Sequence, residues 1–302
     1  METLESLRRK IEGAEDIKSV VKTMKAVAAS NIGEYETAVN SLGAYYRTIG
    51  LGVIAYFHAE RIETIQKKLK QKSERTVCAI VFGTDQGLVG PFNDTLVNFA
   101  TQSLKSIPGK KEIWAVGERI QLLLSDNGFN ITKKFLVPSS VHAITPLVGE
   151  ILINSQGNEY NKEVYVFHNK PKLGSGYLPV SWKLLPLDEN WRQEFNEIHW
   201  PTKNLPQVAG DRKTILRALI REFLFISIFK ACTESLASEN ASRLAAMQRA
   251  EKNIEEMLYI LNKNYHHIRQ NSIDEELFDV VSGFEALNNN IKNEKSRKNN
   301  IE

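Results

Sequence analysis

The sequence predicts an α/β domain with a Rossmann-like mixed sheet, inserted between two long helices that pair as an antiparallel coiled coil. Two observations carry this. Apolar residues recur at heptad spacing over both ends of the 302-residue chain, where no proline precedes Pro91 and none follows Pro206. Between these ends, short apolar runs alternate with amphipathic segments, the pattern of strands and helices in a parallel or mixed sheet.

At the N-terminal end, Leu4, Leu7, Ile11, Ala14, Lys18, Val21, Lys25, Ala28, Ile32, Tyr35, Val39, Leu42, Tyr46, Ile49, Val53 and Tyr56 fill successive a and d positions. Only the two lysines break the seam, so residues 1–58 are expected as one helix, although Gly13, Gly33, Gly43, Gly50 and Gly52 each weaken it. A connector, 59–75, follows. The C-terminal seam runs Leu219, Phe223, Ile226, Lys230, Thr233, Ala237, Asn240, Leu244, Met247, Glu251, Ile254, Leu258, Leu261, Tyr265 and Ile268. It predicts a second helix over 211–287, on the order of 115 Å long at 1.5 Å per residue. Ser272 and Glu275 have the spacing of a capping box, which would permit a break, but the pattern carries on through them. The polar remainder, 288–302, is expected to be disordered.

The insert, 76–210, divides at its Gly, Pro and Asn clusters. Strands are expected at "RTVCAIVFG", "KEIWAVG", "FNITKKFLVP" and "KEVYVFHNK", with helices at "FNDTLVNFATQSLKSI", "GERIQLLLSDNG" and "SSVHAITPLVGEILINSQ" between them. A last strand, "GYLPVSWKLLPL", is expected to return antiparallel to its predecessor across "NKPKLGSG".

Composition narrows the function. Lys plus Arg exceed Asp plus Glu by 39 to 36, with no basic block interleaved with aromatics, which argues against nucleic acid. Cys78 and Cys232 sit in apolar runs without CxxC spacing, as buried thiols of a reducing compartment do. The apolar run "FLFISIF" is far shorter than the roughly 20 residues that span a bilayer, and the acidic, amphipathic N-terminus is unlike a signal or transit peptide.

The loop "FGTDQGLVGPFN" is the candidate phosphate cradle, because Gly83, Gly87 and Gly90 would let backbone N–H groups approach a ligand, but it has neither GK[ST] nor GxGxxG. A tight structural or partner-contacting turn suits it better. Of the histidines, His266 and His267 are adjacent and point about 100° apart on a helix, while His58, His142, His168 and His199 are scattered. No metal site is expected, and solvated or packing roles suit all six. Asp188, Glu189 and Glu194, like Glu255 and Glu256, accompany no nucleophile with an oriented base, so no active site and no cofactor are expected.

Two features ask for another explanation. Lys18, Lys25, Lys230, Asn240 and Glu251 stand at seam positions, where they would set register or face something other than the partner helix. "LASENASRLAAM", 236–247, is small on all sides and lacks the apolar stripe and charged back of a surface helix. A helix enclosed by other chains would need such a slim surface.

These residues resemble a known family. "SVVKTMKAVAASN" (19–31) is similar to the N-terminal signature of the γ subunit of F-type ATP synthases, and "SLASENASRLAAMQRA" (235–250) with "YHHIRQNSIDEELFDVVSGFEAL" (265–287) to its C-terminal signature. "GTDQGLVGPFN" resembles the family's Gly-rich loop. The resemblance spans essentially the whole chain. It implies a non-catalytic rotor shaft that threads a ring of α and β subunits, contacts the ε subunit and the membrane-embedded c ring, and couples H⁺ or Na⁺ flow to ATP synthesis or hydrolysis at the β sites. It implies a protein held peripherally on the cytoplasmic face of a bacterial or archaeal plasma membrane. It also implies partner-coupling roles for Met24 and Lys25, for Glu239 and Asn240 in the smooth segment, and for Arg269 and Gln270. The chain departs from the family at Asn31, where Lys is common, at Gln86 and Val89, where Arg and Cys are usual, and at Pro91, which replaces Gly. These departures imply a divergent branch, such as a second ATPase operon. The rival expectations are a coiled-coil scaffold and a Rossmann-type enzyme with helical dimerisation arms.

Overall fold

The computed structural model describes residues 3–59, 76–155, 162–172, 176–186, 200–202, 204 and 210–298. Helix α1 is Leu4–Ala59, and the insert comprises β1 (Thr76–Phe82), α2 (Phe92–Ser106), β2 (Lys110–Val116), α3 (Glu118–Asp126), β3 (Ile131–Phe135), α4 (Val141–Ser155), β4 (Lys162–Lys172) and β5 (Gly176–Leu185). A final helix, α5, occupies Arg212–Lys298 without interruption. No break occurs at Ser272, and α5 continues past Leu287 into the segment expected as a disordered tail. The reason is local: "NNNIKNEKSRK" contains neither Pro nor Gly to end the helix. At its start, the Asp211 carboxylate accepts hydrogen bonds from the Thr214 N–H (3.1 Å) and hydroxyl (2.5 Å), an N-cap directly after Gly210.

The chain forms two compact units, Lys25–Ala246 and the pair Met1–Met24 with Met247–Glu302. In the second of these, Leu7, Ala14 and Val21 of α1 and Met247 and Ile254 of α5 are buried. There the seam position Lys18 forms an ion pair with Glu255 at 2.9 Å.

In the larger unit, the helices are antiparallel. Asn31 meets Asn240, Tyr46 meets Phe223, and a Cβ at Gly52 would lie 2.9 Å from a Leu219 methyl, so residue numbers fall along α5 as they rise along α1. Burial along the α1 seam is uneven: Ala28, Tyr35, Ile49, Val53 and Tyr56 are buried, whereas Ile32, Val39, Leu42 and Tyr46 are half-buried.

The sheet has the order β3-β2-β1-β4-β5, parallel except for β5, which pairs antiparallel with β4 as expected. Alternation along β1 sorts its side chains between two cores. Cys78, Ile80 and Phe82 join α1, α4 and α5 on one face, and Val77, Ala79 and Val81 join α2 and α3 on the other.

Candidate partner interface

The first part of the small-residue stretch of α5 has a reason other than enclosing partners. All ten residues from Ala231 to Asn240 are buried, which is more than two full turns of helix. This chain itself surrounds them. Ser235, Ser238 and Ser242, spaced i, i+3 and i+7 along one face, donate their hydroxyls to the carbonyls of Phe82 (3.2 Å), Asn169 (3.0 Å) and Val89 (2.5 Å). On another side, Asn31 donates its amide to the Asn240 side-chain oxygen at 3.4 Å, while Asn240 donates to the Leu236 carbonyl at 2.8 Å. Small side chains are needed because a helix seated across strand ends must approach the backbone closely enough to hydrogen-bond it.

Phe82 and Asn169 lie towards the C-terminal ends of β1 and β4, the adjacent strands at which the order of this sheet reverses. A doubly wound sheet that binds a nucleotide does so in the crevice outside these ends. Here α5 occupies it.

The Gly-rich loop is likewise committed to the fold. The Gly83 N–H donates to the Val116 carbonyl, and the Thr84 N–H donates to Asn93 Oδ1 at 3.2 Å while Asn93 Nδ2 donates back to Thr84 Oγ1 at 2.8 Å. Asp85 accepts from the Glu118 N–H (2.9 Å) and the Val137 N–H (3.1 Å), tying the loop to the starts of α3 and of the segment after β3. Gly83 is required because a Cβ there would lie 2.2 Å from Ile120 Cβ, and Gly90 adopts φ of 60°. A cradle would need loop N–H groups pointing at a ligand; those of Gly83 and Thr84 are bonded within the fold.

The expected coupling residues fall into two groups. Glu239 and Asn240 are buried within this chain, so neither presents a free surface to another subunit. Glu239 is bridged by Arg243 at 2.6 Å; burial pushes its carboxyl up, against the pull of Arg243, and nearby Asp85 adds to the rise. Met24 and Lys25 are half-buried on α1, near the exposed Ile17, Val20 and Val27. Arg269 and Gln270 are exposed, and beyond them Ile273, Leu277, Phe278, Val280, Val281 and Phe284 leave apolar surface open on several sides of α5. An apolar surface of this kind on one helix is characteristic of a segment that other chains cover.

The polar seam positions pair internally. Lys18 meets Glu255, Asn240 meets Asn31, and the Lys230 ammonium lies 5.5 Å from the centre of the Tyr46 ring. Both cysteines are buried; burial pushes the Cys78 thiol up to about 12, and it raises Cys232 as well. His142, His266 and His267 are exposed, whereas His168 is fully buried with its Nε2 2.7 Å from Glu234, a partnership its spacing in the sequence does not reveal. Among the described residues, no group of three or more His, Cys, Asp or Glu is placed to hold a metal. Asp188, Glu189, Glu194 and His199 lie outside the described residues.

The comparisons agree on one family. A family model described as ATP synthase matches residues 3–287. The chain is similar to the ATP synthase gamma chain of Syntrophus aciditrophicus (strain SB), with 25% identity over 297 residues, covering 95% of this chain and 99% of that relative. It is similar to that of Sulfurihydrogenibium sp. (strain YO3AOP1), with 25% identity over 292 residues, 93% of this chain and 97% of the relative. Its fold is similar to a chain in the Euglena gracilis mitochondrial ATP synthase structure of OSCP, F1 and c-ring, with a TM-score of 0.60, 18% identity and 94% of each chain covered. A rotor chain of the same organism's enzyme gives a TM-score of 0.57 at 16% identity, covering 89% of this chain and 98% of that one. With two helices from opposite chain ends, a sheet whose ligand crevice is filled, and a family match over nearly the whole sequence, this chain belongs to the ATP synthase gamma-chain family.

Proposed function

We propose that this chain is the central shaft of an F-type ATP synthase or ATPase and has no active site of its own. The observation that carries this reading is the occupation of the sheet's ligand crevice by α5, in a chain whose family match runs from residue 3 to residue 287. A Rossmann-type enzyme needs that crevice open. A scaffold would not need a crevice at all, and the family match weighs against it.

In this reading α and β subunits form a ring around part of the paired helices, while the ε subunit and the c ring bind elsewhere on the chain. Arg269 and Gln270 reach a β subunit from the exposed stretch of α5, and Met24 and Lys25 do so from α1. The exposed apolar residues from Ile273 to Phe284 support this, since a shaft end held inside a ring needs contact area without fixed polar partners. No helix among the described residues is long and apolar enough to cross a membrane. In this reading the protein is held at the cytoplasmic face of a bacterial or archaeal plasma membrane through the c ring, with H⁺ or Na⁺ as the coupling ion.

The test is co-expression with the α and β subunits of the same organism. One copy per ring, with ATPase activity that requires the chain, is the expected result. Failure to associate, with a stable homodimer in its place, would overturn the rotor reading in favour of a scaffold.

A further inference from the structure

The rotor reading makes no use of the buried pair His168 and Glu234. His168 lies on β4 with none of its surface exposed, and its Nε2 is 2.7 Å from Oε2 of Glu234 on α5. Its other ring nitrogen, Nδ1, has no hydrogen-bond partner among the described residues, and the ring stands edge-on to Trp182 of β5 with centroids 5.0 Å apart. This arrangement suits one protonation state. A neutral imidazole with its proton on Nε2 donates to the Glu234 carboxylate and leaves on Nδ1 only a lone pair. A protonated imidazole would bury an N–H donor with nothing to accept it, which is the costlier omission.

The charged groups around the pair add to this preference. Lys170 on β4 and Lys230 on α5 both oppose a further positive charge at His168, and Glu234 favours one. Burial, first, and then the two lysines hold the imidazole below its ordinary value of 6.5, against the upward pull of the hydrogen bond to Glu234 and its charge. Burial pushes Glu234 up, but its hydrogen bond with His168 and the nearby positive charges leave it below its ordinary 4.5. Glu234 therefore stays ionised while His168 titrates.

We propose that His168 and Glu234 form a pH-sensitive clamp between the sheet and α5, closed while the imidazole is neutral and loosened by its protonation. The sign follows from linkage. The opened state, with His168 in water, takes up a proton near pH 6.5, whereas the closed state resists it until a lower pH. The clamp is fully effective above pH 6.5 and weakens as pH falls below it. The clamp is a property of this chain alone and stands whether or not the rotor reading does.

The experiment is hydrogen exchange on the full-length chain, following peptides within 228–240 from about pH 7.5 to about pH 5.5. After correction for intrinsic exchange chemistry, the opening equilibrium of these peptides should rise below pH 6.5 with a slope approaching tenfold per pH unit, one proton's worth. In His168→Gln, whose amide still donates to Glu234 but does not titrate, that slope should vanish. An equal slope in the variant would overturn the proposal. If the variant does not fold, imidazole NMR of the native chain decides: His168 titrating below 6.5 with its proton on Nε2 supports the clamp, and a midpoint at or above 6.5 refutes it.

Discussion

Replacing Ser238 with leucine tests whether residues 231–240 are small for the sake of this chain's own fold. Ser238 is 1% exposed and its hydroxyl donates to the Asn169 carbonyl at 3.0 Å. Leucine would push an isobutyl group into the contact between α5 and the end of β4, an overpacking that costs about 1–3 kcal/mol. It would also remove a hydrogen bond with a net contribution of about 1 kcal/mol. The sum, about 2–4 kcal/mol, is a large part of the 5–15 kcal/mol that typically holds a domain together. The control is Ser238→Ala, which loses only the hydrogen bond and should cost about 0.5–1.5 kcal/mol.

The assay is urea unfolding of the full-length chain without any partner. For a slope of about 2 kcal/mol per molar, the leucine variant should unfold about 1–2 M earlier than the native protein and alanine less than 1 M earlier. A segment kept small only to pass inside a ring of other subunits would be solvated in the isolated chain, and neither change would move the midpoint by more than the error. An unchanged midpoint for Ser238→Leu would therefore refute the burial argument and restore the partner-facing one.

Gly83→Ala should destabilise the same unit by about 1–3 kcal/mol in the same assay, because its Cβ would overlap Ile120 and both elements are fixed by the loop's hydrogen bonds. Cys78 and Cys232 should resist a thiol reagent in the native chain and react once urea unfolds it, since both are buried and burial keeps both thiols protonated. A double-mutant cycle on Lys18 and Glu255, which are partly exposed, should give a coupling of only about 0.2–1 kcal/mol that shrinks in high salt. Arg269→Ala with Gln270→Ala should leave the isolated chain's unfolding within about 0.5 kcal/mol of native. In the assembled complex the same pair should lower ATP synthesis driven by ion flow, and unchanged synthesis would count against the proposed contact with β.

Much of the fold was legible because it rests on periodicity. Heptads survive two interior lysines in α1, and the strands of the insert are short apolar runs between turn residues, so the elements, their order and the antiparallel return of β5 follow from pattern alone. The polarity of 288–298 suggests disorder, yet α5 runs through it, since a helix without Pro or Gly meets nothing there to end it. The role of 231–240 was missed for a more instructive reason. Serines at i, i+3 and i+7 mark one polar face of a helix, but a face that donates to strand-end carbonyls and a face that meets water have the same composition. The pairing of His168 with Glu234 is equally hidden, since it joins residues 66 apart through the packing of α5 on β4 that only the folded chain supplies.

The filled crevice bears on how a shaft can act on anything at all. A helix held to a sheet only by apolar side chains is set by shape alone, because the hydrophobic attraction itself has no preferred direction. Hydrogen bonds do, and they fail over a few tenths of an ångström or a few tens of degrees. Ser235, Ser238 and Ser242 bond three different backbone carbonyls, on β1, on β4 and on the Gly-rich loop, from a single face of α5. Turning α5 about its own axis by even a quarter-turn would break all three together and carry the buried Glu234 away from His168. The same crevice that in an enzyme of this architecture would hold a nucleotide here fixes the rotational setting of a helix against its sheet, and the small side chains that make the contact possible are the ones the sequence first presents as a slim outer surface.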